Sequence, residues 1–393
     1  MEAVARLRTE VRRTRAEWRA RFFELIDEAA PMLEAEALKC DTARRLTAPV
    51  IEFLRQPDIM RLKLPYELGG AEADNALQFE FYERLAYHNA AASWCAVIYT
   101  DMLALVASII GDAGLETVLA QGLPLVCGGG GRLIGTLASA PGGYRLSGKW
   151  SYGSGLEGSD WTGVMAIDPA DPQTVVMCLV PSSQVRSLDN WDAMGLSGTG
   201  STDFVIEDHF VPAALTFVMG TSPSRGGPNF KLGVAGLIGH TTPAIATAAA
   251  RHALDDLIEL ARNKQRGYMS RQTIGSRAAF QAFIATADLR LQAGKALMME
   301  NGLRLFEVAS STGDTVEVEA EVRAAATWVT EQAALIASDI FRWAGGAAVP
   351  SGNRYERALR DIHVASTHYS LNNTSLESHG QYLLGMEGIA IEA

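Results

Sequence analysis

CGGGGRLIGTLASAPGGYRLSGKWSYGSGLEGSDWTGVMAI, Cys127–Ile167, is where the texture of the chain changes. Short runs alternate apolar and polar residues and are bounded by glycines, the pattern of half-buried strands. TVVMCLVP, Thr174–Pro181, and TDFVIEDHFVP, Thr202–Pro212, repeat the pattern with β-branched residues. Pro141-Gly142-Gly143 reads as a hairpin turn between two antiparallel strands. Residues 122–227 are therefore expected to form a central β domain, set between long helical stretches.

On the N-terminal side, Ala, Leu, Glu and Arg dominate up to about Gln121, with breaks expected at Pro31, Pro57, Pro65 and Gly69–Gly70. Phe79–Ile110 is the longest apolar helical run, and its small residues Ala90–Ser93 would let another element approach closely. Trp94, Tyr99 and Asp101 lie on or near that approach. A buried core helix accounts for all of this except Asp101, because an acid in so apolar a setting needs a partner or a ligand. From about Pro228 to the end, four long apolar-periodic stretches suggest an antiparallel bundle. The expected architecture is α+β, mainly α: an N-terminal α-helical domain over 1–121, the β domain over 122–227 and a C-terminal four-helix bundle over 228–393.

The totals bound what such a chain does. Its 393 residues suit two or three domains, and 48% hydrophobic with 20% charged residues can bury a large interior. A formal charge of -11 argues against nucleic acid or an anionic membrane as partner. The basic N-terminal run RLRTEVRRTRAEWRARFFELIDEAAPMLEAEA mixes its arginines with acids and apolar residues at helical spacing, as a solvated amphipathic helix does. No 18-residue apolar segment runs uninterrupted, and Met1 is followed by charges, so a soluble, cytoplasmic protein is expected. Cys40, Cys95, Cys127 and Cys178 are scattered without CxxC spacing, which fits reduced thiols and makes a metal site improbable. GYRLSGKW, Gly143–Trp150, has a tryptophan where a P-loop needs Ser or Thr, and Gly128–Gly131 does not fit GxGxxG. No GxSxG elbow is present either.

The densest polar window is FRWAGGAAVPSGNRYERALRDIHVASTHYSLNNTSLESHGQYLLG, Phe341–Gly385, with three of the seven histidines. On one continuous helix, at ~100° per residue, His368 and His379 share nearly one face while His363 lies roughly 140° from His368. Any single His or Arg here is better read as a capped or paired surface group than as a catalyst. The cluster as a whole points to a place where a ligand is met.

The order of helices, β domain and bundle resembles the acyl-CoA dehydrogenase superfamily over nearly the whole chain. Four stretches carry the likeness. LSGKWSYGSGLEGSDW, Leu146–Trp161, looks like its flavin-binding β segment, and WDAMGLSGTGSTDFVIEDHFVP, Trp191–Pro212, looks like its second β signature. AGG at 344–346 and RALRD at 357–361 look like its C-terminal landmarks. The chain departs from the dehydrogenases after the Arg-Asp landmark, where their Glu-Gly-Thr is replaced by HVASTHYSLNNTSLESHGQYLLG. Glu377 is the only acid there. The pattern is similar to the two-component flavin-dependent monooxygenases of this fold, the branch of the 4-hydroxyphenylacetate hydroxylase oxygenase components.

That resemblance implies an oxygenase component that takes reduced flavin, FADH2 or FMNH2, from a separate NAD(P)H-dependent flavin reductase. With O2 it would hydroxylate a small phenolic or indolic substrate through a C4a-hydroperoxide. A homotetramer is implied as well. Ser154 would sit by flavin N5 and His368 would reach the substrate as the catalytic pair, with Asp101 the third catalytic candidate. Flavin contacts would come from Trp150, Tyr152, Gly153, Ser154, Gly155, Thr199, Ser201, Gly345, Gly346, Arg357 and Arg360. Substrate contacts would come from Trp94, Tyr99, Asp101 and His368. An acyl-CoA dehydrogenase-like flavoenzyme or an amino-sugar N-hydroxylase of the same fold is the alternative, and a flavin-free adaptor would keep the helices while leaving Ser154 without a purpose.

Overall fold

The computed structural model describes residues 7, 13–130, 135–168, 170–232, 239–265, 272–311 and 315–386. The opening of the basic N-terminal run, Gly131 of the glycine run, Ser270 at the start of the Ser270–Gly275 loop and 312–314 of the Ser310–Asp314 loop lie outside the described residues. By their contacts, the described residues form two compact units. One comprises those within Met1–Ala73, Ala91–Ala193 and Ser197–Lys231, and the other those within Asp74–Ala90, Met194–Leu196 and Leu232–Ala393. Three domains in succession, the expectation from sequence, is thus a different partition from the one made by packing.

In the first unit, α1 (Arg15–Ala43) begins at a capping box. The Thr14 side chain accepts from the Glu17 amide, and the Glu17 carboxylate accepts from the Thr14 amide at 2.7 Å. The break expected at Pro31 does not occur, since α1 runs through it. Pro31 withholds one N–H, but Trp18, Phe22, Leu25 and Ile26 before it and Leu33 and Cys40 after it are all buried, so packing on both sides carries the helix across. Short helices α2 (Ala48–Leu54) and α3 (Pro57–Met60) follow, with Pro57 in the first turn of α3, where its missing N–H costs nothing.

The apolar run expected as one helix over Phe79–Ile110 is two, α4 (Asn75–His88) and α5 (Ala90–Ile109), parted by the extended backbone of Asn89. Among the described residues, α5 is the one helix long and apolar enough by composition to cross a membrane, Asp101 notwithstanding. Of that stretch 67% is buried, which is how a core helix behaves. α6 (Asp112–Val118) leads into the sheet.

The sheet has eight strands: β1 (Val126–Gly128), β2 (Gly135–Ala140), β3 (Gly143–Gly153), β4 (Trp161–Ile167), β5 (Val175–Pro181), β6 (Arg186–Ser187), β7 (Thr202–Pro212) and β8 (Thr216–Val218). They run in the order β6-β7-β3-β2-β4-β5-β8, with β1 parallel to β4. The expected hairpin is present. Ala140 pairs with Gly143, and Gly142 takes φ 81°, a conformation open to glycine. β3 and β7 pair from Gly143↔Pro212 to Gly153↔Thr202, with an irregularity between Trp150 and Gly153. Tyr152, inside that irregularity, has φ 60°. A bulge at a strand end turns the following residues away from the ladder, and here it re-aims the chain at Ser154.

In the second unit, α7 (Thr241–Asn263), α8 (Ala278–Ser311) and α9 (Val316–Ala344) pack on one another around Leu254, Leu257, Phe280, Leu291, Ile336 and Ile340. α4 joins them, lying on α7 and α8, and α8 approaches it most closely at Gly302, where a Cβ would lie 2.9 Å from the Ala76 amide nitrogen. Buried His240 ties α4 down, with Asn75 Nδ2 3.1 Å from Nδ1 and Gln78 Oε1 2.9 Å from Nε2. The last stretch of the bundle is not the single helix expected. It is α10 (Arg354–Ala365) and α11 (Asn373–Leu383), separated by a turn. The run Ser370-Leu371-Asn372-Asn373-Thr374-Ser375 explains the break, because Asn372 caps α11 by accepting from the Ser375 amide. His368 and His379 therefore share no helix face, and His363 on α10 is not on a common helix with His368.

Candidate functional site

In the first unit, the end of β3, the start of α5 and the turn Ser197–Thr199 bring four polar side chains together. Ser154 Oγ lies 2.6 Å from Ser201 Oγ, and Ser201 Oγ lies 2.7 Å from Thr199 Oγ1. The Trp94 indole Nε1–H donates to Ser154 Oγ at 3.3 Å. Ser154 is only 4% exposed, and Thr199 and Ser201 are buried as well. Every side chain in this chain of contacts is uncharged. A hydroxyl has one proton and two lone pairs. With one lone pair taken by Trp94 and one position by Ser201, Ser154 keeps a third for a ligand, as donor or acceptor according to which way the hydroxyl chain runs.

The turn that presents Ser154 is fixed by its backbone. Gly155 takes φ 73°, and its N–H donates to the Thr199 carbonyl at 2.9 Å. Its own carbonyl accepts from the Tyr99 hydroxyl at 2.5 Å. A side chain at 155 would both strain the backbone and run into that hydroxyl. Burial pushes the Tyr99 phenol well above its ordinary pKa, so it remains a donor. Tyr99, expected on the substrate side, thus braces the turn.

Trp150 is a core residue. Its Nε1 donates to the Met165 carbonyl at 2.9 Å, and its ring stacks on Phe204 at 5.8 Å. Gly148 makes room for it, since a Cβ there would lie 2.7 Å from the ring. Gly153 sits against Phe204 in the same way. Tyr152 is the reverse, 59% exposed and edge-on to Trp191 at 6.3 Å.

Asp101 has the partner that its setting demanded. It pairs with Lys63, itself buried, by a hydrogen-bonded ion pair. Burial raises the Asp101 carboxyl, and the Lys63 charge and hydrogen bond oppose that. Nothing in the sequence joined these two residues, which are 38 positions apart.

The other candidates lie in the second unit. Gly345 takes φ 57° at the end of α9, and a Cβ at Gly346 would meet nothing within 4 Å. Arg360 Nε donates to Glu356 at 2.5 Å, and its Nη1 donates to the Met194 carbonyl at 2.6 Å. Asp361 accepts from the Leu196 amide at 2.6 Å. Burial raises the Glu356 carboxyl, but hydrogen bonds from Arg360 and the Gly352 amide, with the charges of Arg360 and Arg357, bring it below its ordinary value. The Arg-Asp landmark therefore holds residues 194–196 against α10.

His368 stands in the turn after α10. Its amide donates to the Ala365 carbonyl at 3.1 Å, and its own carbonyl accepts from Leu371 at 2.8 Å. Nδ1 is 2.7 Å from the hydroxyl of buried Ser370 and receives the Ser370 amide at 3.4 Å. Burial lowers the ring's pKa from 6.5 to about 4, so it is neutral at ordinary pH. Sequence reading missed Ser370 and the bond from Trp94 to Ser154. The serine two places after His368 was visible as a polar turn residue, but the Trp94 contact spans 60 positions.

A flavin is the group the sequence resemblance implies, and the first-unit cluster suits one. The donor set is neutral and reversible, matching a ring nitrogen that alternates between proton-bearing and proton-free forms.

Comparison with known proteins agrees. Residues 241–373 match the family model described as acyl-CoA dehydrogenase, C-terminal domain. The chain is similar to indole-3-acetate monooxygenase of Pseudomonas putida, 27% identical over 361 residues covering 88% of this chain and 89% of that protein. It is also similar to the oxygenase component of FADH(2)-dependent resorcinol hydroxylase from Rhizobium sp. strain MTP-10005, 32% identical over 206 residues covering 51% of this chain and 50% of that one. Among solved structures, XiaF from Streptomyces sp., in complex with FADH2 and glycerol, superposes with a TM-score of 0.87 at 21% identity, covering 96% of this chain and 98% of that one. The chain thus has the acyl-CoA dehydrogenase-like fold.

Proposed function

We propose that the protein is the oxygenase component of a two-component flavin-dependent monooxygenase that hydroxylates a small aromatic compound. The overall change is aromatic substrate, O2 and reduced flavin going to hydroxylated product, oxidised flavin and water. Reduced flavin, when bound, supplies the two electrons and activates O2. A separate NAD(P)H-dependent reductase supplies it.

The observation that carries this reading is the neutral chain Trp94–Ser154–Ser201–Thr199. In the proposal, Ser154 holds the hydrogen at flavin N5 and Trp94 fixes the direction of that hydroxyl. Tyr152, Gly153, Gly155, Thr199 and Ser201 complete the flavin side, and Trp150 acts by holding the strand from behind. The second-unit residues Gly345, Gly346, Arg357 and Arg360 are flavin-contact candidates that rest on the resemblance. His368 meets the substrate as a neutral imidazole. Asp101 acts as the counter-charge of Lys63. A homotetramer in the cytoplasm is part of the same reading.

Anaerobic titration tests it. Reduced flavin is expected to bind at least tenfold more tightly than oxidised flavin, and Ser154→Ala to narrow that ratio. Equal binding of the two redox states, or none of either, would overturn the assignment.

A further inference from the structure

We propose that Ser201 is a positioning residue that takes up the Ser154 hydrogen, so that Ser154 turns a lone pair toward a nitrogen bearing hydrogen, the N5–H of reduced flavin. This rests on the reading of Ser154 as the residue beside that nitrogen.

The backbone brings the two serines together. β3 and β7 end their ladder at Gly153↔Thr202, and Ser154 and Ser201 are the next residues on either side of it. The Gly155 N–H donates to the Thr199 carbonyl at 2.9 Å and closes the same turn, so the pairing does not depend on the hydroxyls. Ser154, Ser201 and Thr199 are 4%, 5% and 1% exposed, and a hydroxyl left without an acceptor there has no bulk water to turn to.

The supply of protons and lone pairs around Ser154 forces a choice. The Trp94 indole N–H at 3.3 Å can only donate, so it occupies one of the two Ser154 lone pairs. One lone pair and one hydrogen remain, divided between Ser201 Oγ, 2.6 Å away, and the ligand. A ligand nitrogen that carries hydrogen takes the lone pair, and the Ser154 hydrogen then goes to Ser201. A bare nitrogen takes the hydrogen, and Ser201 donates to Ser154 instead. Thr199 Oγ1, 2.7 Å from Ser201, accepts the Ser201 hydrogen in the first case and can supply one in the second.

Removing the Ser201 hydroxyl therefore acts unequally on the two redox states. With reduced flavin, Ser154 accepts from N5–H and from Trp94, but its own hydrogen has no acceptor in a buried site, a loss of roughly tenfold or more in affinity. With oxidised flavin, Ser154 gives that hydrogen to bare N5, and only a lone pair goes unused. A merely structural role for Ser201 would weaken both states alike.

The test is anaerobic titration of the full-length, flavin-free protein with FAD and with FMN, each oxidised and each reduced by dithionite, read by protein fluorescence. Ser201→Ala is expected to melt as a folded protein, to bind reduced flavin roughly tenfold or more less tightly, and to bind oxidised flavin within about twofold of the wild type. Ser201→Thr, which keeps a hydroxyl, should hold the wild-type ratio. In a Ser154→Ala background, Ser201→Ala should leave the ratio unmoved, because its effect passes through Ser154. Should Ser201→Ala melt early, Thr199→Val removes the next acceptor in the chain and should show the same asymmetry. A ratio unchanged in both variants, or an equal loss in the two redox states, would overturn the positioning role while the wild-type preference for reduced flavin stands. Equal binding of both redox states by the wild type, or none of either, would instead bring down the flavin reading beneath it.

Discussion

The Ser154 cluster and the His368 turn are built by opposite means. Ser154 is held by Trp94 and Ser201, 60 and 47 positions away, and its turn by Tyr99, 56 positions from Gly155. The described hydrogen bonds of His368, to Ala365, Ser370 and Leu371, all lie within a few residues. A site cross-linked from distant parts of the chain resists change, because each substitution strands a buried partner. A site built within one turn can be retuned by one or two substitutions. The chemistry common to a fold suits the first kind of construction, and substrate choice suits the second.

Five substitutions at four positions would break or sharpen that contrast. The largest effect should come from the buried Lys63–Asp101 pair of the first unit. Lys63→Met leaves Asp101 charged and uncompensated and should cost roughly 3–5 kcal/mol in chemical denaturation, whereas Lys63→Met with Asp101→Leu should recover most of it. His368→Ala should leave melting and reduced-flavin binding near the wild type while product formation falls about 100-fold, with peroxide released instead, read by product and peroxide yields per flavin oxidised. Ser154→Ala should act on stability and on the flavin itself. Removing the hydroxyl that Trp94 Nε1 and Ser201 Oγ both contact costs about 1–3 kcal/mol of stability, and reduced flavin reoxidises faster in the variant, as stopped-flow absorbance would show.

The smallest effect is a pH dependence in the second region. Folding lowers the His368 pKa from 6.5 to about 4, so between those values the unfolded chain binds more protons than the folded one. The stabilisation from the neutral ring is complete above pH 6.5 and is lost as the pH falls toward 4. His368→Gln should therefore show a smaller drop in denaturant midpoint between pH 7 and pH 5 than the wild type. An equal drop would place the ring in a more solvated setting.

Local chemistry made much of this legible. The Pro141-Gly142 hairpin, the glycine-bounded strands and the WSYGSG turn are written in residues whose backbone preferences decide the structure within a few positions. Ser154, Thr199 and Ser201 were read as one site because they lie in two signature stretches. What escaped depends on tertiary packing or on competition between local signals. Pro31 reads as a breaker until the burial on both sides of it is known. Phe79–Ile110 reads as one helix because Asn89 is a single polar residue in an apolar run, and the polar run at 370–375 outweighs the helical periodicity that would have joined His368 to His379. The partners of Trp94, Tyr99 and Asp101, namely Ser154, Gly155 and Lys63, lie 60, 56 and 38 positions away and leave no local signal.

The central claim is that this chain inserts one oxygen atom of O2 into an aromatic ring at the expense of reduced flavin. Turnover under ¹⁸O2 with a flavin reductase, NADH and a panel of phenols tests it most directly. The account predicts a product heavier by one labelled oxygen atom, formed only when the reductase is present and greatly reduced in His368→Ala. Products without label, or flavin oxidation that yields only peroxide with every phenol and indole offered, would contradict it.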